Sequence, residues 1–318
     1  MMNRNDVDWH GPMPAVTTPF TAGGAVDHEA LAANIDHLMD AGATGVLVGG
    51  CTGEFWALTH AERVALTPVA REALNGRGTL IVATGAATAT ETIALTQAAE
   101  SRGAAGALVL PSYFIALTPD EIVDHYALVG AACGLPLMLY NIPGNAGNAL
   151  TPDILDRLAD LPTVVALKES SGNWNNFHAS LLRVGSRLRV FCGPSSLFGV
   201  PAVQAGADGT IDCFPNMWRP GGLELYHAAR RGDTAAAYVL QGIGQQLTQL
   251  FTGHGMSLYP ATKAAMDLLG LPGGGLPRAP LKALDKRQVA ILERGLAALG
   301  FGGSSTTAPR SAMPVSGA

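Results

Sequence analysis

An α/β fold closed as a (β/α)8 TIM barrel, with a helical extension after it, is what this 318-residue chain predicts. Three observations predict it. Eight short runs are apolar on both faces, as parallel strands buried under helices are. Amphipathic stretches opened by capping residues lie between them. All eight units fall before residue 217, a spacing that suits a closed barrel better than an open doubly wound sheet.

In chain order the strand-like runs are Ala15–Thr17, Gly45–Val48, Leu80–Ala83, Gly106–Leu110, Pro136–Tyr140, Val164–Leu167, Leu188–Phe191 and Gly209–Ile211. Asp27, Thr59, Thr118 and Thr151 stand where helices should begin, and Thr59 and Thr118 have a Glu three residues on, the capping-box spacing. After Ile211 no further strand is expected. Pro220–Arg231, Thr234–Phe251, Met256–Leu269 and Leu281–Leu299 read as successive helices. The expected organisation is a barrel over 12–216, a helical extension over 217–300 and a flexible Gly/Ser/Thr/Pro-rich tail over 301–318.

Composition narrows the function classes. Apolar residues make up 48% of the chain and charged residues 14%, ample for a core and too apolar for a disordered chain. A formal charge of −5 argues against a nucleic-acid or anionic-membrane partner. The first residues carry Arg4, Asp6 and Asp8 without an apolar signal-like run, and no apolar stretch approaches a membrane span, so a cytoplasmic address is expected. Cys51, Cys133, Cys192 and Cys213 are widely spaced and read as separate thiols, neither a disulfide set nor a zinc site. The histidines fall in helical stretches or near connections, so no metal is implied, and Gly273–Gly275 follows a helix, so it is no dinucleotide loop.

Only four lysines occur, Lys168, Lys263, Lys282 and Lys286. Lys168 alone lies in the barrel region, at the end of the apolar run Val164–Leu167. The C-terminal ends of barrel strands form the active face. An ammonium there is partly desolvated, which lowers its pKa and frees a nucleophilic amine, a role arginine cannot take. The competing reading is a lysine that reaches solvent or pairs with Glu169.

The motifs around Lys168 choose between these. In order they are Ala15-Val-Thr-Thr-Pro-Phe20, Gly49-Gly-Cys-Thr-Gly-Glu54, Pro111-Ser-Tyr113, Tyr140-Asn-Ile-Pro-Gly144, Lys168-Glu-Ser-Ser-Gly172 and Gly206-Ala-Asp-Gly-Thr-Ile211. With these, the chain resembles the dihydrodipicolinate synthase / N-acetylneuraminate lyase family of Schiff-base-forming pyruvate aldolases. The resemblance implies that Lys168 forms an imine with pyruvate or another 2-oxo acid and that Tyr140 is the general acid/base. It implies that Tyr113 is a relay tyrosine that commonly reaches the neighbouring subunit, and that the Ile211 carbonyl faces bound pyruvate. It also implies a homotetramer arranged as a dimer of dimers. The glycine-rich Thr52-Gly53 turn suits a carboxylate, which needs several fixed donors. No external cofactor is required for such a lyase.

Two departures bear on specificity. Cys51 stands where these synthases carry a hydroxyl of the proton relay, and a thiol is a weaker hydrogen-bond partner. Asn145 stands where 4-hydroxy-tetrahydrodipicolinate synthases carry an arginine for the carboxylate of aspartate semialdehyde, and an amide cannot form that bidentate ion pair. The sequence therefore favours a different aldol, such as a 2-keto-3-deoxy sugar acid, contacted by Asn145 and the Gly193-Pro-Ser195-Ser196 turn. The alternatives are the genuine synthase, disfavoured by Asn145, and a non-catalytic barrel that senses a 2-oxo acid, for which retaining both Lys168 and Tyr140 would be superfluous.

Overall fold

The computed structural model describes residues 2–302, so most of the expected tail lies outside the described residues. Eight parallel strands form one sheet: β1 (Gly11–Pro12), β2 (Gly45–Val48), β3 (Thr79–Ala83), β4 (Gly106–Val109), β5 (Leu137–Asn141), β6 (Val164–Glu169), β7 (Arg189–Cys192) and β8 (Gly209–Thr210). Neighbours follow chain order, and β1 pairs with β8. An Ala15–Leu47 bridge joins the first strand to β2 and closes the ring, which makes the fold a (β/α)8 barrel.

The first strand differs from its expected form for a covalent reason. Pro12 and Pro14 have no N–H to donate. The ladder therefore uses alternate residues: Gly11 and Met13 donate toward β8, Ala15 donates to the Asp212 carbonyl, and Val16 donates to Leu47. The segment is extended but registers as two paired residues plus a bridge.

Between the strands lie α1 (His28–Asp40), α2 (His60–Leu74), α3 (Ala89–Ser101), α4 (Pro119–Ala131), α5 (Pro143–Ala146), α6 (Pro152–Leu158), α7 (Trp174–Val184) and α8 (Ser195–Gln204). The caps are those the sequence marks. Asp27 accepts from the Ala30 amide and Thr151 from that of Ile154, while Thr59 and Thr118 form complete capping boxes with Glu62 and Glu121. Each satisfies amides that a helix start leaves without partners.

Strand alternation sorts the core into two layers. Leu137, Leu139, Leu167 and Val190 face the helices. Met138, Tyr140, Val165, Ala166, Phe191 and Ile211 fill the barrel interior, with Trp9 and Met13 of the N-terminal segment in the same cluster. Trp9 explains Gly106, where any Cβ would lie 2.3 Å from the indole.

One irregularity sets which residues of β6 face the interior. Leu137 pairs with Val164, but Met138 pairs with Ala166, so Val165 is a surplus residue in β6. Val165 and Ala166 both point inward across this β-bulge. Beyond it Tyr140 pairs with Lys168 and Asn141 with Glu169.

The chain continues as α9 (Gly221–Arg231), α10 (Thr234–Thr252), α11 (Leu258–Leu268) and α12 (Lys286–Ala298). The last helix starts five residues after its expected beginning at Leu281, because Asp285 caps it in a box with Gln288. Cys213, Phe214, Trp218, Leu247, Phe251, Met266 and Leu292 form an apolar cluster that joins these helices to the β8 end of the barrel. Asn216 pins the junction, donating to the Ala15 and Cys213 carbonyls and accepting from Asn34. No described helix is long and apolar enough to cross a membrane.

Candidate active site

Lys168 projects into the barrel from the C-terminal half of β6 and is 5% exposed. Its Nζ lies 4.5 Å from the centre of the Tyr140 ring, the neighbouring side chain on β5. Burial lowers its pKa to about 8, against an opposing pull from Cys51, Asp212 and Cys213. The pairing with Glu169 does not form, because adjacent strand residues face opposite sides. Glu169 points toward the helices, where it accepts from the Asn141 and Asn176 side-chain amides and the Ser171 backbone. Among the described residues no carboxylate forms a salt bridge with Lys168, so little holds its proton in place.

The Tyr140 hydroxyl donates to the Cys51 sulfur at 3.6 Å. Burial drives the phenol's pKa well up, with Cys51 and Tyr259 adding to the shift. Tyr140 therefore rests as a neutral phenol that can give a proton and take one back, as a general acid/base must. A strong lone base would not sit stably here, and a neutral hydroxyl costs far less to bury.

Cys51 opens the turn after β2 that carries Thr52 and Gly53. Thr52 is buried, and a Cβ at Gly53 would press within 3.0 Å of the Thr18 hydroxyl. Glu54 ends the turn in left-handed backbone, φ 54°. Its fully buried carboxylate contacts the Lys263 ammonium of α11 and accepts from the Arg278 amide at 2.9 Å. Lys263 is itself fully buried over the Phe20 ring, 4.3 Å away, and donates to the Leu276 carbonyl. The helical extension thus anchors the Thr52–Gly53 turn.

The remaining candidates fall into two groups. Tyr113 and Asn145 line a cavity of about 200 Å³ together with Cys51. Tyr113 packs edge-on against Phe55, with ring centres 6.2 Å apart, and the next residue, Phe114, is 97% exposed. Ser195 lies apart from that cavity. Its hydroxyl donates to Asp212 at 2.9 Å, and the same carboxylate accepts from the Ser196 and Cys213 amides. Gly193 has a packing reason, since a Cβ there would collide with Ser170 at 1.7 Å. Ile211 is buried in the interior cluster with Tyr140 and donates its amide to Cys192. The four cysteines are all free; Cys51, Cys192 and Cys213 are buried.

Sequence reasoning missed two polar groups here. Asp212 follows Ile211 directly, but nothing in the pattern marks it as folded over Ser195 and Ser196. Tyr259 sits on α11, packs against the interior cluster, and lies 5.5 Å from the Trp56 ring. Burial raises its phenol pKa strongly, and the neighbouring Cys51 thiol adds to the shift. The signal available was a lone tyrosine in a helix otherwise read as scaffold.

Comparison with known proteins shows which family the chain is similar to. The sequence profile of the dihydrodipicolinate synthetase family matches residues 8–299. An uncharacterised DapA-like lyase of Rhizobium meliloti is 34% identical over 275 residues, 86% of this chain and 91% of its own length. The 4-hydroxy-tetrahydrodipicolinate synthase 1 of Streptomyces coelicolor is 35% identical over 278 residues, 87% of this chain and 90% of its own. Among solved structures, YagE of E. coli K12, a prophage protein of the dihydrodipicolinic acid synthase family in complex with pyruvate, superposes with a TM-score of 0.88. It is 29% identical and covers 93% of this chain and 100% of its own.

Proposed function

We propose, from the premise that this chain belongs to the dihydrodipicolinate synthetase family and is a lyase, that Lys168 forms an imine with pyruvate or a similar 2-oxo acid. The observation that carries the reading is a buried amine, its pKa lowered to about 8, stacked on an equally buried tyrosine. The pyruvate complex of YagE supports the choice of keto acid.

The neutral Lys168 amine attacks the C2 ketone and gives a carbinolamine. Tyr140 supplies the proton with which the hydroxyl leaves as water, and the cationic imine remains. That cation is an electron sink, so C3 loses a proton to give an enamine, or loses an aldehyde when an aldol is being cleaved. In the synthetic direction the enamine carbon adds to an aldehyde carbonyl. Water then hydrolyses the imine and restores the amine. Thr52 and the Gly53 amide hold the carboxylate of the keto acid in this reading, on a turn braced by Glu54 and Lys263. Ile211 faces the bound keto acid, and Cys51 links Tyr140 to a second phenol. The same reading places the enzyme in the cytoplasm as a homotetramer, with Tyr113 and the exposed Phe114 at a contact between subunits.

Asn145 supports this reading over the synthase alternative. The cavity beside it offers no cation to a second carboxylate, so aspartate semialdehyde has no ion-pair partner. Borohydride reduction in the presence of pyruvate tests the imine. The wild type should gain the mass of one reduced pyruvate adduct on Lys168, and Lys168→Ala should gain none. An adduct that survives this substitution moves the site elsewhere, and binding without any adduct turns the protein into a sensor.

A further inference from the structure

The cavity beside Cys51 is lined mostly by apolar side chains. Its walls include Phe55, Trp56, Leu110, Ile142 and Ala146, and the residues with polar side-chain groups among its lining are Asn145, Tyr113 and Cys51. No charged side chain lines it. It opens one side chain from the chemistry, because Cys51 also accepts from Tyr140, whose ring lies 4.5 Å from the Lys168 amine.

A 2-keto-3-deoxy sugar acid would bring several hydroxyls into this space, and each hydroxyl buried without a partner is costly. The serines expected to receive them, Ser195 and Ser196, do not line this cavity. Ser195 donates to Asp212, and Ser196 accepts from Thr248 at 3.1 Å. The volume, about 200 Å³, suits a single ring; apolar cavities of about 150 Å³ take up benzene.

We infer that the second substrate is an aldehyde with an apolar, ring-sized side chain, seated in this cavity with its carbonyl toward Cys51 and Tyr140. The inference rests on the imine reading of Lys168. In the forward step the enamine C3 bonds to the aldehyde carbon. The carbonyl π pair takes a proton delivered through Tyr140 and becomes a hydroxyl, while the enamine nitrogen returns to the cationic imine. Hydrolysis by one water then releases a 4-hydroxy-2-oxo acid and regenerates Lys168. Cleavage is the same sequence reversed.

The test is a panel with the full chain, pyruvate, and benzaldehyde, glyceraldehyde or aspartate semialdehyde in turn, following pyruvate consumption. Benzaldehyde should be preferred in kcat/KM by tenfold or more, on the usual scale for burying apolar surface in a pocket. Ile142→Asn should shrink that preference several-fold. Equal or better use of glyceraldehyde overturns the inference, as does a borohydride-trapped pyruvate adduct on Lys168 with no consumption of benzaldehyde. The adduct separates the two claims. Present without the preference, it leaves the imine standing and sinks the aldehyde assignment; absent, it sinks both.

Discussion

Replacing Lys168 with methionine should stabilise the protein at neutral pH, although it destroys the proposed nucleophile. The amine is buried and its pKa falls from 10.5 to about 8. At about 1.4 kcal/mol per pH unit, charging it in the folded state costs about 3 kcal/mol. Below pH 8 the group is protonated in folded and unfolded chains alike, and that cost is carried in full. Between pH 8 and 10.5 the unfolded chain binds more protons than the folded one, so wild-type stability rises with pH. Above 10.5 both are neutral and the penalty is gone. Lys168→Met keeps a stem of similar length without the charge. It should be more stable than wild type by about 3 kcal/mol at pH 7, with the difference closing between pH 8 and 10.5. Urea denaturation at fixed protein concentration, at pH 7, 8, 9 and 10, measures it. A variant no more stable at pH 7, or a difference that ignores pH, would refute the claim that desolvation sets this lysine's pKa. The same pKa leaves about one amine in eleven neutral at pH 7, about 300-fold more than an ordinary lysine offers.

The rate of borohydride trapping with saturating pyruvate should therefore climb with pH toward a midpoint near 8; a flat profile over pH 6.5–9 counts against a titrating Lys168. Tyr140→Phe should slow turnover by ~10²-fold or more, and near-normal turnover in a steady-state assay removes it from proton transfer. Tyr259→Phe should slow turnover less and change the pH profile of kcat, whereas a purely structural tyrosine would alter stability and leave that profile in place. Lys263→Met leaves the Glu54 carboxylate buried without its counter-ion and should cost about 3–5 kcal/mol in denaturant unfolding. Adding Glu54→Gln should return much of that loss, and a double variant no better than the single one argues against the pair. Asn145→Arg should raise activity with aspartate semialdehyde, and high wild-type activity with that aldehyde would contradict the reading of Asn145.

The barrel was legible because its signals are local. Short runs apolar on both faces, each followed by a cap such as Thr59 or Thr118, survive intact in the fold. The first strand was misplaced by a few residues because its prolines break the ladder while leaving the backbone extended. Lys168 and Tyr140 could be chosen because strand ends carry the active face and because the motifs at six strand ends occur in order. That they are neighbours at one level follows from register, which no single strand reveals. Tyr259 and Asp212 were invisible for a different reason: each acts across a gap in sequence, Tyr259 from a helix more than two hundred residues beyond Cys51. The apolar walls beside Asn145 were likewise hidden, since Phe55, Leu110 and Ile142 come from three separate loops and only the closed ring brings them together.

The surplus Val165 has a consequence for how the Lys168 amine is aimed. Counted in unbroken alternation from the outward-facing Val164, the fifth residue of β6 would also face outward, and the amine would end among the helices. Parity is reset by letting two consecutive side chains share the inner wall. Deleting Val165 would straighten the strand and still leave the amine inside, whereas adding one residue without a second bulge would turn it out. Which side of the barrel wall this amine faces is an odd-or-even matter, decided two and three positions before the lysine itself.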